Sequence, residues 1–129
     1  ALASVLATKP EILVLDEPTS AQDEAETRRV MEIARDLSLA GKTVILVSHD
    51  MELVAKYAHR VLVLIDGKIE ADCAPADLFD NDELLSRAAL SKPGLHRIAR
   101  ALGYDGRMNS LSIASLADHI QSRLAGVSS

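Results

Sequence analysis

Two short apolar runs, Ile12-Leu13-Val14-Leu15 and the Val44-Ile45-Leu46-Val47 that follows Thr43, flank a stretch patterned for a helix, and this alternation restricts the fold more than any other feature. Runs this short with no polar break read as strands buried on both faces. Between them Val30, Ile33, Ala34 and Leu37 fall at i, i+3, i+4 and i+7, which predicts a helix from about Asp23 to Ala40. Asp23 stands where an N-cap belongs, Glu24 and Glu26 suit the positive end of the helix dipole, and Gly41 supplies the stop. Strand, helix, strand is a βαβ unit, so the two strands are expected to pair in parallel with a right-handed crossover.

The rest of the chain is organised around this unit. Ala1 to Ala7 reads as a helix end, stopped before Lys9-Pro10, and a chain that opens inside such a stretch reads as an interior piece of a longer protein. Met51 to His59 predicts a short helix. Val61 to Ile65, a tight turn at Asp66-Gly67 and the run from Lys68 to Asp72 predict a hairpin. Two or three helices are expected across Pro75 to Ser91. A further helix is striped by Leu95, Ile98, Ala99 and Leu102 and ends at Gly103; a loop over 102–110 follows, then a last helix from about Ser112 to Leu124, with Leu116, Ile120 and Leu124 on one side. The expectation is an α/β core over residues 1–80 and a helical extension over 81–129.

Composition narrows the function classes. With 14 basic and 19 acidic residues the net charge is −5, which disfavours a nucleic-acid partner. Tyr57, Phe79 and Tyr104 are too few aromatics to stack bases. Cys73 is the one cysteine, so no internal disulfide forms, and a reducing cytoplasm fits. No apolar run approaches the roughly 18 residues of a membrane span, so any membrane connection runs through a partner.

The first strand ends in an unusual pair, Asp16 and Glu17. Ligands of open parallel sheets sit beyond the carboxyl ends of the strands, and His49 lies two residues past the end of the second strand. Three ionisable groups are thus expected on one rim. Adjacent side chains at a strand end point in different directions, so one acid can meet a metal while its neighbour meets a water. Mg²⁺ takes carboxylates and phosphate oxygens, the second carboxylate can act as a general base, and a histidine can hold a terminal phosphate. An Asp-Glu-Pro turn and a hydrogen-bonded strand-end histidine are also ordinary structural features; it is their joint occurrence that points to phosphate chemistry.

The segment "ILVLDEPTS", followed by "AQD" and later "VSHD", resembles the second half of an ABC-type ATPase, the nucleotide-binding subunit of ATP-binding-cassette transporters. The resemblance implies a partial P-loop NTPase core, with ATP and Mg²⁺ as cofactors. Asp16 would act on the metal, Glu17 would be the catalytic base and His49 the histidine that contacts the γ-phosphate. Ser20, Ala21, Gln22 and Asp23 would form the D-loop that crosses to a partner's site, with Gln22 where the family has leucine. The hairpin from Arg60 to Pro75 matches as well, with Cys73 replacing a common glycine. Beyond residue 80 the chain resembles the tail of cobalt-type and energy-coupling-factor ATPases, whose extra helices help pair subunits; covering the chain's own core is the alternative role for these helices. Implied partners are a second ATP-binding subunit, identical or not, and a transmembrane permease, with the protein peripheral on the cytoplasmic face of the membrane.

The phosphate cradle G-x-x-x-x-G-K-[ST] is missing. Gly41-Lys42-Thr43 mimics its end, but Asp36 stands where the first glycine belongs, and the context is helix then strand, the reverse of a P-loop. By the resemblance, the P-loop, Q-loop and signature lie upstream of Ala1, and the P-loop strand separates the strands at 43–47 and 61–65. Weak ATP binding and marginal stability are therefore expected of the chain alone. Two other readings stand: a non-catalytic interaction fragment that pairs with an ATPase, and a soluble ABC ATPase of translation or DNA repair. His59, His96 and His119 are assigned no functional role.

Overall fold

A computed structural model of the chain describes residues 7–18, 23–104 and 111–126. The elements are β1 (Ile12–Asp16), α1 (Glu24–Leu39), β2 (Thr43–Val47), α2 (Met51–Tyr57), β3 (Val61–Ile65), β4 (Lys68–Cys73), α3 (Pro75–Asp80), α4 (Asp82–Arg87), α5 (Gly94–Ala101) and α6 (Ile113–Gly126). They fall into two compact units, Ala1–Ala58 and His59–Ser129. Most of the helix expected at Ala1–Ala7 lies outside the described residues.

In the first unit β1 and β2 pair in parallel, with Leu13 opposite Val44 and Asp16 opposite Val47. Helix α1 starts where Asp23 accepts the Glu26 amide at 2.8 Å and stops at a Schellman cap. There the amides of Gly41 and Lys42 bond the carbonyls of Ser38 and Leu37, each at 3.0 Å, with Gly41 at φ +83°. This settles the Gly41-Lys42-Thr43 mimic. Gly41 ends a helix, the Lys42 ammonium meets the Glu11 carboxylate at 2.5 Å, and Thr43 opens β2.

Leu13, Leu15, Met31 and Ala34 form the buried core, with Val30, Leu37, Val44, Leu46, Leu53 and Tyr57 packed against it. The buried line of α1 runs Thr27, Met31, Ala34, so Ile33 sits at its margin rather than its centre. The strands are not buried on both faces as their sequence predicts. Ile12, Val14, Ile45 and Val47 remain 59, 57, 46 and 48% exposed. A strand sends alternate side chains to opposite faces, and among the described residues the core packs on the Leu13/Leu15 face.

The second unit opens with the β3–β4 hairpin, antiparallel as a two-residue turn requires, with a register shift at Val63/Leu64. Asp66 and Gly67 both take positive φ, 50° and 74°, the signature of a type I′ turn. The expected mostly parallel sheet is therefore two separate two-stranded sheets, one parallel and one antiparallel. Leu78, Phe79, Leu84, Leu85, Ala99 and Leu116 are buried. The α5 stripe differs from expectation: His96 and Ala99 face inward, while Ile98 and Leu102 are exposed. His96 meets Phe79 edge to face at a centroid distance of 4.8 Å, so a ring contact takes the place assigned to aliphatic packing. On α6 Leu116 is buried, while Ile120 and Leu124 are exposed.

Candidate functional site

Parallel pairing brings the carboxyl ends of β1 and β2 to one edge, and the site grows from there. The Glu17 amide extends the ladder by donating to the Val47 carbonyl at 2.8 Å. Glu17 itself sits at φ +44°, the left-handed region that non-glycine residues seldom occupy. The chain leaves the strand abruptly at this residue.

Glu17 Oε1 accepts two hydrogen bonds from His49, one from the backbone amide at 3.2 Å and one from imidazole Nδ1 at 2.7 Å. The carboxylate side chain is 32% exposed and the imidazole 80% exposed. The hydrogen bond to Glu17, followed by its negative charge, raises the His49 pKa above 6.5; slight desolvation opposes this and Asp50 adds to it. A Nδ1 proton committed to Glu17 leaves Nε2 as the nitrogen available to a ligand, and a protonated ring makes Nε2 a donor.

Asp16 ends β1 on the exposed face that also carries Ile12 and Val14. Among the described residues no three His, Cys, Asp or Glu side chains gather closely enough to hold a metal ion. Of the D-loop candidates, Ser20, Ala21 and Gln22 lie outside the described residues, and Asp23 caps α1. Burial pushes the Cys73 thiol up, with Asp77 and Asp72 adding to the effect, so it is a protonated thiol at neutral pH.

Sequence reasoning passed over two residues beside His49. The Asp50 carboxylate accepts the amides of Glu52 at 3.0 Å and Leu53 at 3.3 Å, and the Asp50 amide donates to the Ser48 hydroxyl at 3.0 Å. An aspartate immediately before an apolar-periodic segment is the N-cap signal that could have identified the first of these.

No family model matches the chain. It is 47% identical over 108 residues to an ABC transporter ATP-binding protein of Methanosarcina acetivorans, an alignment covering 81% of this chain and 18% of that protein. A protein of the same description from Streptococcus pneumoniae is 39% identical over 104 residues, covering 81% of this chain and 19% of the relative. Among solved structures, CbiO1 of Clostridium perfringens, part of the ABC transporter complex CbiONQ, matches with a TM-score of 0.55 and 27% identity, over 77% of this chain and 40% of that one. The chain thus spans less than a fifth of the length of these curated relatives. Over most of its own length it is homologous to ABC-transporter ATP-binding proteins.

Proposed function

We propose that this chain is the part of an ABC-type ATP-binding and hydrolysing subunit that handles the terminal phosphate, with residues 1–80 as core and 81–129 as extension. The transporter is an importer of the cobalt, nickel or vitamin class, akin to the energy-coupling-factor systems. The observation that supports this most is the 2.7 Å contact between Glu17 and His49, residues 32 apart in sequence, at the shared carboxyl rim of a parallel strand pair.

The residues fit ATP with Mg²⁺. Mg²⁺ is held by one or two carboxylates together with phosphate oxygens, not by an all-protein cage, and Asp16 offers one exposed hard donor at the strand end. When bound, the metal supplies charge neutralisation on the phosphates. Asp16 would hold it; Ser20, Ala21, Gln22 and Asp23 would reach the partner subunit's site. Glu17 takes the proton of the attacking water, and His49 Nε2 donates to the γ-phosphate. Both lone pairs of Glu17 Oε1 face His49 N–H groups, so a water bonding to that oxygen takes the place of one of them. The imidazole, largely exposed, is the group free to turn. Partners are a second ATP-binding subunit and a membrane permease, which would hold the protein at the cytoplasmic face; no helix among the described residues is long and apolar enough to cross a membrane.

The test is Glu17→Gln in a complete ATP-binding protein that carries this sequence. Turnover should fall by about 100- to 10,000-fold while ATP-driven dimerisation persists. Hydrolysis at the unsubstituted rate would remove Glu17 from the role of base.

A second reading, a non-catalytic fragment that pairs with an ATPase, draws on the apolar residues left exposed on both sheets, among them Val14, Ile45, Leu64 and Ile69. Calorimetry with Mg-ATP separates the two: binding by the complete protein supports the first reading, and binding by neither form supports the second.

A further inference from the structure

We infer that Asp50 is a positioning residue, one that sets the His49 imidazole on Glu17 by capping α2. The inference rests on reading Glu17 and His49 as the acting pair, but its geometry stands apart from hydrolysis.

The His49 side chain is 80% exposed, so packing does not hold its ring. Yet two of its groups, the backbone amide and Nδ1, reach the same carboxylate oxygen. That requires the backbone torsions at residue 49 to be fixed independently of the side chain, and the structure has a device for doing so. Upstream, Val47 is pinned because its carbonyl accepts the Glu17 amide. Downstream, Asp50 takes an extended conformation at φ −80° and ψ 98° and receives the amides of Glu52 and Leu53, while its carbonyl accepts the Val54 amide at 3.2 Å. Its own amide returns to Ser48 Oγ at 3.0 Å, closing the turn around His49. Helix α2 is in turn anchored, since Leu53 and Tyr57 pack on the Leu13/Leu15/Met31/Ala34 core and Met51 and Val54 are buried. The chain from β2 into α2 is held at 47 and at 50, and His49 is the residue between.

A cap at this position needs a side-chain oxygen that accepts from the second and third helical amides, which asparagine and serine provide and alanine does not. The Asp50 charge contributes only the smallest of the influences raising the His49 pKa. Cap geometry and charge are therefore separable by substitution.

The experiment is ¹⁵N NMR of the His49 ring in the 129-residue chain, reading the fraction of neutral imidazole in the Nδ1–H tautomer and the Nδ1 proton resonance. Glu17→Gln provides the reference for a weakened contact. Asp50→Ala should lower the ratio of Nδ1–H to Nε2–H forms about fivefold, the loss typical of a removed cap, and Asp50→Asn should restore it. If Asp50→Ala does not fold, Asp50→Gly removes the same carboxylate at smaller cost to the helix, and the ratio should fall there too, by a smaller factor; an unchanged ratio in it would equally overturn the inference. An unchanged tautomer ratio, with faster exchange of the Glu52 and Leu53 amides, would mean that Asp50 serves the helix alone and would overturn the inference. Failure of asparagine to rescue would do so too, by assigning the effect to charge. Should the ratio respond while Glu17→Gln still hydrolyses ATP in the complete protein, the positioning stands and the assignment of the base fails.

Discussion

Glu17 carries a conformational cost that its neighbours do not. A left-handed backbone on a branched or long side chain costs on the order of 1–3 kcal/mol and persists where surrounding contacts over-determine it. Here they include the hydrogen bond from the Glu17 amide to the Val47 carbonyl and the two hydrogen bonds that Glu17 accepts from His49. The same pair sets a pH dependence. His49 has its pKa raised in the folded chain by Glu17, so the contact contributes its full stabilisation below about pH 6.5 and loses it as pH rises through the raised value. The difference in melting temperature between the unsubstituted chain and His49→Ala should therefore be larger at pH 6 than at pH 8.5. Equal differences at the two pH values would show that the imidazolium–carboxylate contact is not formed in solution. At this scale the sequence placed Glu17 and His49 on one rim, and the structure brings them into contact there, because a parallel pairing of the two strands aligns their carboxyl ends. The sequence was silent on the left-handed turn at Glu17, since nothing in a glutamate announces positive φ.

The helices and strands formed mainly where their local signals lie. Helix α1 begins and ends at its two capping residues, and those signals are short-range: an oxygen three residues from an amide, and a glycine that tolerates φ +83°. Asp23→Ala should cost about 1 kcal/mol in urea unfolding, and Asp23→Asn should cost much less. If both cost the same, the capping bond to Glu26 contributes nothing and the Asp23 carboxylate acts elsewhere. Helices α5 and α6 depart from their sequence pattern, with Ile98, Leu102, Ile120 and Leu124 exposed. Their aliphatic spacing is compatible with more than one face. The choice of His96 over Ile98 as an inward residue depends on Phe79, seventeen positions earlier in the chain. No local pattern contains that information.

At the scale of the molecule, the apolar surface is unevenly spent. Leu13 and Leu15 are buried while Ile12 and Val14 are more than half exposed, although all four read alike in sequence. Substitutions should separate the two faces: Leu15→Ala should lose about 2–5 kcal/mol of stability, as large-to-small core changes do, and Val14→Thr should lose well under 1 kcal/mol. Val14→Thr together with Ile45→Thr should also reduce light scattering from concentrated solutions, because the bare β1–β2 face exposes contiguous apolar surface. A large stability loss at Val14 would mean that face is covered in solution.

The sequence alone determined the order and type of elements from Ile12 to Cys73, and it determined which side chains stand at the strand ends, because capping, turn chemistry and hydrophobic period act between residues a few positions apart. Only the tertiary structure decided which strand faces are buried, that β1–β2 and β3–β4 form separate sheets, and that His49 reaches Glu17 with both its amide and its ring. Those outcomes depend on what packs against what across the fold, and a one-dimensional pattern does not encode the partner.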